Sequence, residues 1–346
     1  MGTTIRRAEA ASLPELRSKT KLSAGQAMIA TAVTCALVLA GTSPAFASTE
    51  ADPDTVAEAV AAVAPGDLEA LPPVHSDDLL TVSLDDGATI ATGVDPDDGL
   101  SFASADGKHV TEVTLPGASA LSEAAVSDDG SVTFAGDSAV PSINVLAAAD
   151  AMRVSTVIAS EAQTESFSYD FGTDATVEIQ EDGSALVLKD AEIDGAAAGP
   201  EAQIVTIVAD IAVPWATDAA GAAVETYYVA DGGVLTQVVE HQSSGATYPV
   251  VADPTFDSPN VIQVRVRFNR AETASIAIGG WGGVIGSGNC GAMAAVCAIA
   301  SGTLAYQAGV AENSSPKRCV QVTATSPIVI PGLFWWVDTY RGGPCR

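Results

Sequence analysis

The sequence predicts a mainly β protein: an antiparallel β-sandwich rich in Asp-Gly turns, followed by a small disulfide-stapled α+β module. Three observations carry this. Short alternating or apolar runs such as LLTVSL, HVTEVTL, QIVTIVADIAV and VLTQVVEH recur from Leu79 onward. Asp-Gly pairs at 86–87, 98–99, 106–107, 129–130, 182–183, 194–195 and 231–232 punctuate them, and such pairs supply the positive φ of tight hairpins. Four of the five cysteines, Cys290, Cys297, Cys319 and Cys345, crowd toward the C-terminus.

Residues 1–47 read as a secretory signal. Arg6, Arg7, Arg17, Lys19 and Lys21 precede the apolar run Met28–Gly41, and Ala45-Phe46-Ala47 has the small-x-small form of a cleavage site. The run is short for a bilayer-spanning helix. The expectation is cleavage after Ala47 and a secreted chain, extracellular or associated with the cell wall. Cys35 leaves with the signal, so the four exported cysteines are expected to form two disulfides.

Residues 48–78 read as a helical, acidic tether. Val56, Val60 and Val63 recur at helical spacing, Asp54 or Thr55 is placed to cap, and PPVHSDD ends the helix. Residues 79–257 form the acidic β-sandwich, in which Lys108, Arg153 and Lys189 are the only basic residues. The whole chain carries −28 and this part holds most of its acids, so nucleic acid is not expected as its partner, because phosphate would be repelled. Asp95, Asp97 and Asp98 in DPDDG lack the spacing of a calcium loop, so no metal or cofactor is expected.

Within the sandwich, the segment Ala212–Thr255 carries Pro214-Trp215-Ala216, Asp218-Ala219-x-Gly221 and the ending Tyr248-Pro249-Val250-Val251-Ala252-Asp253-Pro254. It resembles a region of uncharacterised secreted actinobacterial proteins, and its YPVVADP ending is similar to one in wall-associated and RHS-type surface proteins. The resemblance implies an extracellular β module beside a variable C-terminal module, and it carries over no catalytic residue. Physically, Pro249 and Pro254 bracket a last edge strand, and Trp215 reads as a core anchor.

No enzyme is expected. His75, His109 and His241 sit at linker or strand-end positions, without a nucleophile-elbow, metalloprotease or phosphate-loop motif. Gly288-Asn289-Cys290-Gly291 resembles the loop around a papain-type nucleophile, but that family places its histidine downstream, and here all three lie upstream. No catalytic residue is therefore assigned.

Residues 258–346 form a cationic, Gly/Ala-rich α+β module. In VIQVRVRF, Gln263, Arg265 and Arg267 alternate with apolar residues, which predicts a half-buried strand with a cationic outer face. Asn269 and Glu272 form a capping box for a helix that Gly279-Gly280 stops. A second helix is expected from near Asn289 to Gly309, then short strands around KRCVQVTA and Phe334-Trp335-Trp336. On one continuous helix Cys290 and Cys297 stand about 10.5 Å apart along the axis, too far to pair with each other. Each is instead expected to tie that helix to the terminal strands through Cys319 or Cys345.

Two functions follow as expectations. The first is a secreted, non-enzymatic two-module protein whose stapled module meets a cell-surface or envelope partner, with Arg265, Arg267, Arg270, Trp281, Trp335 and Trp336 as contact residues. The second is a bacteriocin-like, membrane-active effector with the acidic region as carrier or propiece. It rests on the charge asymmetry and on the uncharged, Gly-x-x-x-Gly-bearing stretch after Glu272.

Overall fold

The structure, a computed structural model, describes residues 51–66, 68–84, 87–105, 107, 109–149, 151–190, 203–257, 263–280, 297–298, 300–325 and 334–345. Every described residue belongs to one compact unit, within Ser43–Arg346. The expected signal segment, Asp194-Gly195, Trp281 and Cys290 lie outside the described residues.

In chain order the first elements are α1 (Pro53–Val63), β1 (Val74–Ser76), β2 (Leu79–Ser83), β3 (Thr89–Gly93), β4 (Leu100–Ala103) and β5 (Val110–Val113). Next come β6 (Ala125–Val126), β7 (Val132–Phe134), β8 (Ser142–Ala147), β9 (Ala151–Ile158), β10 (Ser166–Asp170), β11 (Ala175–Ile179), β12 (Ala185–Asp190) and β13 (Gln203–Ile211). Then β14 (Ala216–Asp218), β15 (Thr226–Asp231), β16 (Val234–Val239), α2 (His241–Ser244), β17 (Val250–Ala252) and β18 (Thr255–Asp257) follow. The C-terminal part holds β19 (Gln263–Arg267), α3 (Arg270–Ala277), α4 (Ser301–Asn313), β20 (Cys319–Thr325) and β21 (Trp335–Tyr340). The described residues are mainly β, at 44% strand against 18% helix.

Among the described residues every strand pair is antiparallel, and the strands make three sheets. β1–β5 form a five-stranded meander, β10-β16-β15 a three-stranded sheet, and the remaining strands one thirteen-stranded sheet. The expected Asp-Gly hairpins are present: Gly183 between β11 and β12 sits at φ 95°, and Gly232 between β15 and β16 at φ 57°. One apolar core lies between the large sheet and the two smaller ones, as in a sandwich. Phe256 of β18 is its joint, with ring centroids 5.6 Å from Phe102 of β4 and 6.2 Å from Phe171 at the end of β10.

α1 is amphipathic as predicted, but Asp52 caps it, accepting from Thr55 N at 3.2 Å, with Pro53 in the first turn. Val56 and Val60 pack on Val157 and Val251, with Trp215 partly buried against the same cluster. This segment is therefore docked on the sheet. The proline-bracketed strand β17 is also not an edge: it pairs with β14 on one side and β9 on the other. The prolines stand just outside its three residues, so the missing amides interrupt neither ladder.

The C-terminal part has its own core but shares the large sheet. β19 pairs with β13 from Gln203↔Arg267 to Ile207↔Gln263, then with β20, which pairs with β21. Beyond a register shift opposite Val187/Leu188, the other end of β13 meets β18 at Ile211↔Phe256. Val264, Val266, Val322 and Val337 pack with Ile276 of α3 and Leu304 and Ala308 of α4. The capping box on α3 is present in both directions, and Gly279 follows at φ 84°. α4 starts at Ser301 and runs to Asn313, four residues beyond the expected end.

The expected disulfide ties are corrected here. Cys319 bonds Cys345, with Cα atoms 5.6 Å apart. The turn closed by the Gly342↔Cys345 bridge folds the end of the chain back onto the start of β20, where Cys319 stands opposite Tyr340. Cys297 is also disulfide-bonded and fully buried, but Cys319 and Cys345 are taken by each other. Neither can tie the helical segment to the terminal strands. We predict that non-reducing peptide mapping recovers a Cys319–Cys345 peptide and none joining Cys297 to either; the opposite result contradicts this fold. Cys345→Ser, which opens a loop with a sequence separation of 26, should lower unfolding stability by roughly 3–4 kcal/mol.

Candidate functional site

The strands β11-β12-β13-β19-β20-β21 run consecutively across the large sheet. Flat, with about 4.8 Å between neighbours, β11 and β20 would stand roughly 19 Å apart. Yet Glu181, in the β11–β12 turn, meets Arg318 beside β20 at 2.7 Å and Arg341 beyond β21 at 3.8 Å. The sheet therefore curls, and one face becomes concave.

Alternation along the strands places Glu178, Leu186, Leu188, Val205 and Ile207 on that face. The registers continue it through Arg265 and Arg267, Gln321 and Thr323, and Asp338 and Tyr340. Arg267 donates both terminal nitrogens to Glu178, at 2.6 and 2.5 Å, and its guanidinium lies 4.5 Å from the centroid of the Tyr340 ring. Such a bidentate pair is a strong charge-assisted arrangement. Arg265 donates Nε to Thr323 Oγ1 at 3.0 Å. Burial depresses the Arg265 pKa, and the nearby Asp338 carboxylate works against that shift.

The expected cationic outer face is therefore an interior one: Arg265 is 6% and Arg267 2% exposed. Strand alternation fixes which residues share a face, whereas the curl decides whether that face meets water. Arg270 is committed as well, to Glu312 at 2.6 Å and to the Arg318 carbonyl. Trp335 packs against the helix-side core, while Trp336 and Phe334 are exposed. The structure thus brings Arg265 and Arg267 together, sets Arg270 apart, and leaves Trp336 as the exposed one among the described members of the expected contact set. Sequence reasoning missed Glu178 and Glu181, whose acidic turn gives no sign of partners more than a hundred residues away or nearly so.

Three polar atoms of this face have no partner: Arg267 Nε, Gln321 Oε1 and Asp338 Oδ1. They belong to one register row, Arg267↔Gln321↔Asp338. An unpartnered buried polar group costs about 1–3 kcal/mol, so the row calls for an occupant. Beside it a cavity of about 450 Å³ opens between β11, β12, β13, Arg267 and the Gly343-Pro344 turn.

The residues of the Ala212–Thr255 resemblance make a second polar cluster, and its geometry is that of a clasp. Fully buried Asp253 accepts from Trp215 N at 2.9 Å and from Thr255 Oγ1 at 3.0 Å. Arg153 of β9 lies over the Trp215 ring and donates to Thr255 Oγ1 and, at 2.7 Å, to the Pro65 carbonyl beyond α1. Asp218 accepts from Thr247, Ala220 and Ala222 amides, which hold its pKa below the usual carboxylate range, Thr247 contributing most. His241 is buried rather than at the surface. Its Nε2 lies 3.1 Å from the Thr164 carbonyl and its Nδ1 2.9 Å from the Tyr248 hydroxyl. These side chains fasten β14, β17, β18, α1 and α2 to one another.

Desolvation pushes the Asp253 carboxyl up to about 7, against the pull of its hydrogen bonds and of Arg153. A raised carboxyl stabilises the fold fully below its unfolded pKa near 4 and loses that contribution as pH rises through about 7. We predict that stability falls from pH 4 to pH 7 by more in the wild type than in Asp253→Asn. The difference should be on the order of 4 kcal/mol at about 1.4 kcal/mol per unit, read from urea unfolding at each pH. Parallel profiles would show that Asp253 is charged in the fold. Comparison of the whole chain with protein-family models, curated proteins and solved structures finds no match.

Proposed function

We propose that this chain is an exported, non-enzymatic surface protein. Its C-terminal part meets a cell-surface or envelope partner while still built into the acidic β part. The observation that carries this reading is the β13–β19 ladder, backed by the pairing of Arg267, Arg318 and Arg341 with Glu178 and Glu181. Detaching the C-terminal part would open that ladder and take the buried Arg267 guanidinium from its carboxylate, Glu178, which is costly. Export is supported by the N-terminal basic, apolar and Ala-x-Ala pattern and by the Cys319–Cys345 disulfide. Phe334 and Trp336, with Tyr306 and Val310 of α4, offer exposed apolar surface for a partner.

The competing reading is a released, membrane-active effector. The same ion pairs favour it in one respect, since the acidic part neutralises arginines that release would expose. No helix among the described residues is long and apolar enough to cross a membrane.

Mass spectrometry of the medium and wall fraction of producing cells separates the two. The attached reading predicts a chain running from Ser48 through the C-terminal part without internal cleavage. Accumulation of a fragment starting near Asp257 would overturn it in favour of the effector.

A further inference from the structure

We propose that the mouth of the curled sheet binds a small zwitterion, an amino acid or short peptide with a free ammonium and a free carboxylate. The cavity there, about 450 Å³, is of the size that takes small ligands, and the mouths of curled or closed sheets are common places for them. Its charged lining comes from Asp174, Glu178, Lys189, Asp190 and Arg267, with Gly343-Pro344 as one wall. That wall is fixed: Cys345 is bonded to Cys319, and a Cβ on Gly343 would stand 3.3 Å from both Arg267 Nη1 and Glu178 Oε1.

The chemistry of the lining selects the ligand class. Arg267 is neutralised by Glu178, and Lys189 by Asp174 at 3.0 Å, which leaves the Asp190 carboxylate as the surplus charge. An ammonium group answers it. Arg267, 2% exposed, lines the cavity and keeps Nε without an acceptor, which a ligand carboxylate supplies. Gln321 Oε1 and Asp338 Oδ1, further along the row, do not line the cavity, so the selection rests on Asp190 and Arg267. One acceptor for an ammonium and one donor for a carboxylate are met by a molecule that brings both groups. A lone cation leaves Arg267 Nε unanswered, and a lone anion is repelled by Asp190.

The test is isothermal titration calorimetry on the intact disulfide-bonded chain. The probes are diglycine and a panel of free amino acids, N-acetyl-diglycine, diglycine amide, and spermidine as a cation alone. We expect at least one free amino acid or diglycine to bind, and either end-blocked form to bind at least tenfold more weakly than diglycine. Asp190→Asn, at an exposed position, should keep the wild-type melting temperature and weaken binding about tenfold. No binding of any probe at 10 mM would mean that ordered water alone satisfies the row, and would overturn the proposal. So would equal binding of blocked and free diglycine, equal binding of spermidine, or unchanged affinity in Asp190→Asn.

Discussion

Strand β13 is the constraint on which the rest depends. The first part of its nine residues, Gln203 to Ile207, holds β19, and its end at Ile211 meets Phe256 of β18. A register shift between those two parts resets the alternation, so Ile204 faces the helix-covered core while Ile211 lies in the sandwich core. One continuous backbone thereby carries two cores. The cationic C-terminal part is a sheet extension with helices laid on it, and its charge is answered across the junction.

The buried arginines follow from that geometry. Taking a guanidinium out of water is expensive, and a buried pair is weak evidence for net stability even when bidentate. Its clearer consequence here is register. In β19, Arg265 and Arg267 alternate with Val264 and Val266. A slip of one residue against β13 would turn both guanidiniums into the core of Ile276, Leu304 and Val322 and turn both valines toward Glu178. The Arg267–Glu178 pair and the Tyr340 ring therefore select one alignment of β19. That alignment also sets the row of unpartnered atoms beside the cavity.

Much of the fold was legible in the sequence because local chemistry dictates it. Asp-Gly pairs mark the hairpins, VIQVRVRF alternates as a strand, and Asn269 with Glu272 caps α3 by a rule that spans three residues. What long-range contacts decide was not legible. The sequence shows that Arg265 and Arg267 share a face, but the curl that buries it depends on Glu178 and Glu181 reaching across several strands. Cys319–Cys345 depends on the backward turn at Gly342, which no spacing announces. The YPVVADP segment was visible as a motif. Its meaning, a buried Asp253 that fastens Trp215 and Thr255, required the fold.

The most direct measurement of the shared sheet is amide hydrogen exchange on the intact chain. If β13 binds both parts, backbone amides in Gln203–Ile207 and Gln263–Arg267 exchange together, as slowly as those of β8 and β9 in the sandwich core. If β19–β21 instead exchange as a separate, faster unit while Gln203–Ile207 behaves as an open edge, the two parts are independent and the account fails.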